Sequence, residues 1–302
     1  MATTKSKKTT KKSTSKAKAV ATKSVKTVPA KAAAVTTSAN AVASKKNPFK
    51  GFFAKKCDEN ENILTIFKNY KIWGAIAGEV IGTMLLTMLM FTLGVYQPLY
   101  ILIGVIGITM AVYAFSGAHL NPAITVGMMA SRRISAIRGI LYIVAQVIGA
   151  WLGLIILSGF RGLGENAVEL PAIVALQDTT VWKNILIEFL GAGIIGYFFC
   201  RAQSYKTAKG AFTYAAIVAG GLTLAVLFCV VVSTNYIGLQ NNFVLNPAVA
   251  IMEQIFPSVS GNFGELIGDV ALASLTYIIV PMIGAVVGFA AADASKKLTG
   301  EE

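Results

Sequence analysis

Asn-Pro-Ala occurs twice in the chain, at Asn121-Pro122-Ala123 and at Asn246-Pro247-Ala248. Asn is a favoured helix N-cap and Pro a favoured first helical residue, so each triplet reads as the start of a helix. The capping oxygen of each Asn serves its own helix, which leaves the amide NH2 to donate to a passing oxygen. Each helix start also presents about half a positive charge. Two such ends facing one another orient a water or alcohol oxygen and repel cations, without any group that takes up or releases a proton. This is the chemistry of selection, not of bond making.

The elements around the triplets must hold them inside a membrane. The chain is 55% hydrophobic and 14% charged, with mean hydropathy +0.65, well below the charge of a soluble domain. Six apolar runs, near 72–94, 98–115, 138–158, 181–200, 211–233 and 267–290, approach the ~20 residues that cross ~30 Å of hydrocarbon. Such long unbroken runs exclude an outer-membrane barrel. The triplets fall in the connections 116–131 and 234–260, and each opens an apolar stretch too short to cross: Asn121 would cap 122–131 and Asn246 would cap 247–256. A helix of ~10 residues rises ~15 Å, about half the core. Two entering from opposite faces would span it together.

An internal repeat supports that opposition. Gly78-Glu79 in run one and Glu188-Phe189 in run four match. So do Gln146-Val147-Ile148-Gly149-Ala150 in run three and Pro281-Met282-Ile283-Gly284-Ala285 in run six. Three spans per half is an odd number, so the halves insert with opposite orientation. The fold class is therefore all-α integral membrane: six transmembrane helices and two re-entrant half-helices in an inverted 3+3 repeat.

The net charge of +13 is local. Residues 1–50 hold thirteen Lys and no Arg, Asp or Glu, which leaves 27 − 13 = 14 basic against 14 acidic residues in the rest. Residues 1–56 read as a disordered Lys-rich tail, 57–295 as the membrane body and 296–302 as a short C-terminal end. The tail carries no apolar core of a secretory signal. It reads as a solvated cytoplasmic arm with a topogenic role, with adhesion to anionic lipid headgroups as the sharper alternative, and no motif supports nucleic acid. Arg132, Arg133, Arg138, Arg201, Lys206, Lys209, Lys296 and Lys297 all fall on the tail's side of a six-span chain, which predicts cytoplasmic N- and C-termini. Cys57, Cys200 and Cys229 form no metal or disulfide pattern, and no nucleophile–base pair is visible, so no catalytic residue, metal or cofactor is expected.

The run Ser116-Gly117-Ala118-His119-Leu120-Asn121-Pro122-Ala123-Ile124-Thr125-Val126-Gly127 resembles the first pore-loop signature of the aquaporin and glycerol-facilitator family, and the contexts of Glu79, Gln146, Glu188 and the second triplet match the same family. The resemblance covers about 72–290. It implies one pore per subunit, a homotetramer, and passive passage of small neutral solutes, glycerol and water first, across a plasma membrane (bacterial, by expectation). Urea, ammonia, hydrogen peroxide and lactic acid are the alternatives. A coupled transporter or a non-conducting scaffold acting through the Lys tail are the rival classes. The resemblance also implies supporting roles for Glu79 and Glu188 as acceptors of pore-loop N–H groups, and for His119 and Gln146 as buried groups that fix the pore-loop backbone. One departure stands out. The family usually reads Asn-Pro-Ala-Arg, and Val249 stands where the Arg falls. By counting, Phe243, Phe228 (or Cys229), Ile101 and Gly104 are the remaining candidates for the selectivity filter with Val249, a mostly apolar set suited to a polyol's carbon face. Ala250, where the glycerol branch has Asp, and Tyr277, which resembles the water branch, pull in opposite directions.

Overall fold

The computed structural model describes residues 63–93, 97–161, 181–237, 243–252 and 270–300, all within one compact unit, Lys46–Glu302. The 1–56 tail, Cys57, the acidic loop residues Glu165, Glu169, Asp178, Glu253 and Glu265, and the second half-helix beyond 252 lie outside the described residues.

After a short lead-in helix, α1 (Ile63–Lys68), come α2 (Tyr70–Leu93), α3 (Pro98–Ser116), the short α4 (Pro122–Ala130), α5 (Ala136–Arg161), α6 (Val181–Ala202), α7 (Ala211–Val232), the short α8 (Pro247–Ala250) and α9 (Val270–Thr299). Six of these are long and apolar enough to cross a membrane: α2, α3, α5, α6, α7 and α9. All six expected spans are present, and their ends shift by a few residues. The largest shift is in α9, which continues through the expected 296–302 end as far as Thr299. Lys296 secures that extension by donating to the Cys200 carbonyl at 3.1 Å.

Packing follows the repeat. The pair α2–α5 in the first half corresponds to α6–α9 in the second, and α2–α3 corresponds to α6–α7. Across the halves, α3 meets its counterpart α7, α4 lies on α9, and α8 lies on α5. Each short helix is thus cradled by the last span of the opposite half, the contact pattern of two interlocked units related by a two-fold axis.

Glycine sets how closely the spans approach. At Gly149 an added Cβ would run into the Val80 carbonyl of α2, and at the matching Gly284 it would run into the Phe189 carbonyl of α6. Only hydrogen fits at these crossings, the small-residue packing by which helices associate in lipid. The repeat is imperfect at one point. Pro281 stands where the first half has Gln146, and it lacks the N–H that would close the preceding turn. α9 opens into a π turn at Leu275–Ile279 just before it.

The lipid-facing surface is apolar, with Trp73, Trp151, Trp182, Ile103, Phe160 and Phe212 exposed. At one face an ion pair joins Arg133, just past α4, to Asp293 of α9 at 2.6 Å, and Cys200 of α6 donates to the same carboxylate at 3.3 Å. The basic segments around 133, 201 and 296 therefore share one face, as the charge pattern predicts.

Candidate functional site

Both triplets begin helices in the expected way. Asn121 and Asn246 are extended (φ −157° and −134°), and their side-chain oxygens accept from Ala123 N at 2.8 Å and Ala248 N at 3.1 Å. The other half of each amide departs from expectation. Asn121 Nδ2 donates to the Leu245 carbonyl at 2.8 Å, and Asn246 Nδ2 donates to the Leu120 carbonyl at 3.0 Å. One hydrogen of each NH2 therefore ties its loop to the opposite loop. Only the second hydrogen remains for anything passing between them. The clasp explains how two capped ends are held together although their dipoles repel.

The loops before the caps share one backbone device. Leu120 and Leu245 both adopt left-handed φ, 54° and 58°. This conformation costs an L-residue on the order of 1–2 kcal/mol. It turns successive N–H groups to one side, where a buried carboxylate collects them. Glu79 accepts from His119 N at 3.0 Å and Leu120 N at 2.8 Å. Glu188 accepts from Val244 N at 2.6 Å and from Leu245 N at 3.1 and 3.3 Å. The pairs correspond across a constant offset (246 − 121 = 245 − 120 = 244 − 119 = 125). Both carboxylates are fully buried, and their oxygens are turned to backbone donors, so neither is an open proton relay.

The first half has further support. Gln146 Nε2 donates to Glu79 at 2.7 Å and to Thr125 Oγ1 at 2.9 Å, while His119 Nδ1 lies 3.2 Å from the same hydroxyl. The imidazole packs edge-on against Tyr142 and Phe199. Pro281 occupies the position of Gln146 in the second half, so Glu188 has no equivalent amide.

The filter candidates are dispersed in environment. Val249 is buried among Ala150, Val147, Phe91, Val244 and Met252. Phe243 and Phe228 are half-buried, Phe243 touching the apolar clusters of both halves. Ile101 is fully buried with Leu86, Val105 and Val226, and Gly104 backs onto Leu89. Cys229 is sealed between Gly191 and the Ile187 carbonyl, which leaves Phe228 as the more open member of that pair.

Several participants carry no local sequence signal. Tyr214 donates to the Gly117 carbonyl at 2.7 Å and Tyr142 to the Ser116 carbonyl at 3.3 Å. Ala118, like Leu120, takes a left-handed φ, 52°. The carbonyl oxygens of Ala118, His119 and Val244 accept no hydrogen bond among the described residues. Non-helical backbone with free acceptors, at the depth where two half-helices meet, is tolerated in a membrane only where it is buried in protein or lines a water-filled cavity. Among the described residues no group of His, Cys, Asp and Glu could hold a metal.

This arrangement, six spans and two opposed half-helices joined at capping asparagines, is a membrane fold of inverted-repeat type. The major intrinsic protein model matches residues 66–292, and the chain belongs to that family. It is 32% identical to a glycerol uptake facilitator protein-like 6 of Lactiplantibacillus plantarum over 187 residues, 60% of this chain and 77% of that protein. It is 42% identical to aquaporin-1 of Ovis aries over 77 residues, 25% of this chain and 28% of that protein. The match thus spans little more than a quarter of such aquaporin-1 relatives. The solved aquaglyceroporin of Plasmodium falciparum shares the fold, with TM-score 0.56 at 17% identity, covering 76% of this chain and 100% of that one.

Proposed function

We propose that the protein is a passive, bidirectional channel for small neutral hydroxylic solutes, glycerol and water first, that excludes ions and protons. The observation that carries this reading is the reciprocal clasp, in which each asparagine spends one amide hydrogen on the opposite loop and keeps the other. A hydroxyl at the meeting point accepts from both amides. Its neighbours along the path find the free carbonyls of Ala118, His119 and Val244 as acceptors. The two helix starts disfavour a cation there. Glu79 and Glu188 hold backbone instead of titrating in the path, and His119 and Gln146 brace the first loop.

Val249 makes the filter apolar where the family usually places a cation. Val249, Phe243, Phe228 and Gly104 together favour a polyol's carbon face; Ile101, fully buried among Leu86, Val105 and Val226, backs this wall instead of lining it. The matched facilitator-like protein supports that order of solutes. We further propose a homotetramer in a plasma membrane with both termini cytoplasmic, the basic face inward and the Lys-rich tail near anionic lipid. We propose no enzymatic role.

Stopped-flow swelling of proteoliposomes tests the channel. Glycerol and water fluxes both rise over empty vesicles and do not saturate with solute or follow an ion gradient. Fluxes equal to those of empty vesicles reject the reading. Saturation with dependence on an ion gradient replaces it with coupled transport.

A further inference from the structure

The clearest unexplained charge beside the candidate path is Lys206. It follows a 3-10 turn, Gln203–Tyr205, between α6 and α7. That turn is fixed to the very residues that start the first pore loop. Gln203 donates to the Tyr214 hydroxyl at 3.2 Å, and Tyr214 in turn donates to the Gly117 carbonyl at 2.7 Å. On the other side of Lys206, Tyr113 at the end of α3 donates to the Thr207 carbonyl at 2.9 Å.

The side chain reaches over Gly117. A Cβ built on Gly117 would lie 2.5 Å from Lys206 Nζ and 3.9 Å from the His119 ring. Gly117 has φ +91°, a conformation that favours glycine, and the ammonium occupies the space where a side chain would begin. The residue as a whole is exposed, but burial of the ammonium end holds its pKa below the usual lysine value. Glu79 opposes that shift and Arg138 adds to it. Lys206 makes no ion pair among the described residues, since the nearby Glu79 carboxylate is taken by backbone and Gln146 donors.

The ammonium therefore has no direct ion-pair partner among the described residues, and it stands at the head of a run of backbone whose free carbonyls at Ala118 and His119 would otherwise attract cations. At the other end of the path Val249 supplies no charge. We propose that Lys206 is a specificity-determining residue, the fixed positive charge that keeps cations out of the channel from the basic face, in place of the filter arginine that this chain lacks. The proposal rests on the channel reading above.

Proteoliposomes of the full chain test both separately. Glycerol swelling and potassium leak are measured on the same vesicles for the wild type, Lys206→Gln and Lys206→Arg, with Lys206→Met as a second neutral variant of similar length. The expected result is unchanged glycerol swelling in every variant. Potassium leak rises about tenfold in the two neutral variants, as expected when a unit charge no longer opposes cation entry at an effective dielectric of ~20. Lys206→Arg stays within about twofold of wild type, and the contrast shrinks as salt rises and the Debye length falls. Leak in the neutral variants within twofold of wild type overturns the proposal. Glycerol flux that changes in step with leak also overturns it, because Lys206 is then a plug or a prop. Absence of swelling in wild-type vesicles rejects the channel itself, and the role of Lys206 with it.

Discussion

Val249 and the two glutamates show how single residues divide the work. Val249 carries no donor and no charge at a position next to the second cap, and it packs among aliphatic neighbours and Phe91. Val249→Arg would add five donors and a cation. We expect it to lower glycerol flux more than water flux in swelling assays; an unchanged ratio would remove Val249 from the filter. The glutamates are a matter of stability. Glu188→Ala leaves the half-buried N–H of Val244 and the buried N–H of Leu245 without their acceptor. An unsatisfied buried group costs about 1–3 kcal/mol, so the expected loss is at least about 1–3 kcal/mol. It is read as a lower melting temperature in detergent and a smaller yield of assembled protein, before any change in solute preference among the molecules that survive. At this scale the sequence was informative about identity and silent about direction. Asn, Pro and Glu announce what they can do, because capping and carboxylate acceptance are properties of the side chain. Where the second amide hydrogen goes depends on a carbonyl 124 or 126 residues away, and no local pattern encodes that.

Among the elements, the helix crossings are the sensitive points. A Cβ at Gly288 of α9 would collide with the Gly193 carbonyl of α6, whereas Gly107 of α3 has open space. Gly288→Ala is expected to destabilise by about 1–3 kcal/mol, the usual cost of overpacking, and Gly107→Ala to be neutral; thermal melts of the two variants side by side check this. Span positions were legible because hydropathy is a local property with a fixed length requirement, and the half-helices were legible because a Pro start and a short apolar run coincide. The π turn at Leu275–Ile279 was not foreseen. Its cause, the missing N–H of Pro281, was in view, but the same proline is compatible with a simple kink, and the choice is made by packing against α6.

For the whole molecule, the inverted repeat and the segregation of charge lead us to propose that the membrane body works without the tail. Deletion of residues 1–48 is expected to leave glycerol and water swelling per folded channel unchanged, while reducing binding of the solubilised protein to vesicles rich in anionic lipid. Loss of swelling with the body still folded would favour a scaffold that works through its tail. The parity of the spans and the common face of the basic loops could be counted from the sequence. The approach of Lys206 to Gly117 could not, since it arises from a hydrogen-bonded turn whose partners come from α3, α6 and α7.

The mutual asparagine clasp also bears on how the protein is made. When only the first half has left the ribosome, Asn121 has an amide hydrogen with no acceptor, and the Leu120 carbonyl has no donor. Neither need is met until the second half is threaded in upside down. We therefore expect a truncated or misoriented nascent chain to keep an unpaired polar seam in the bilayer that only the completed polypeptide closes.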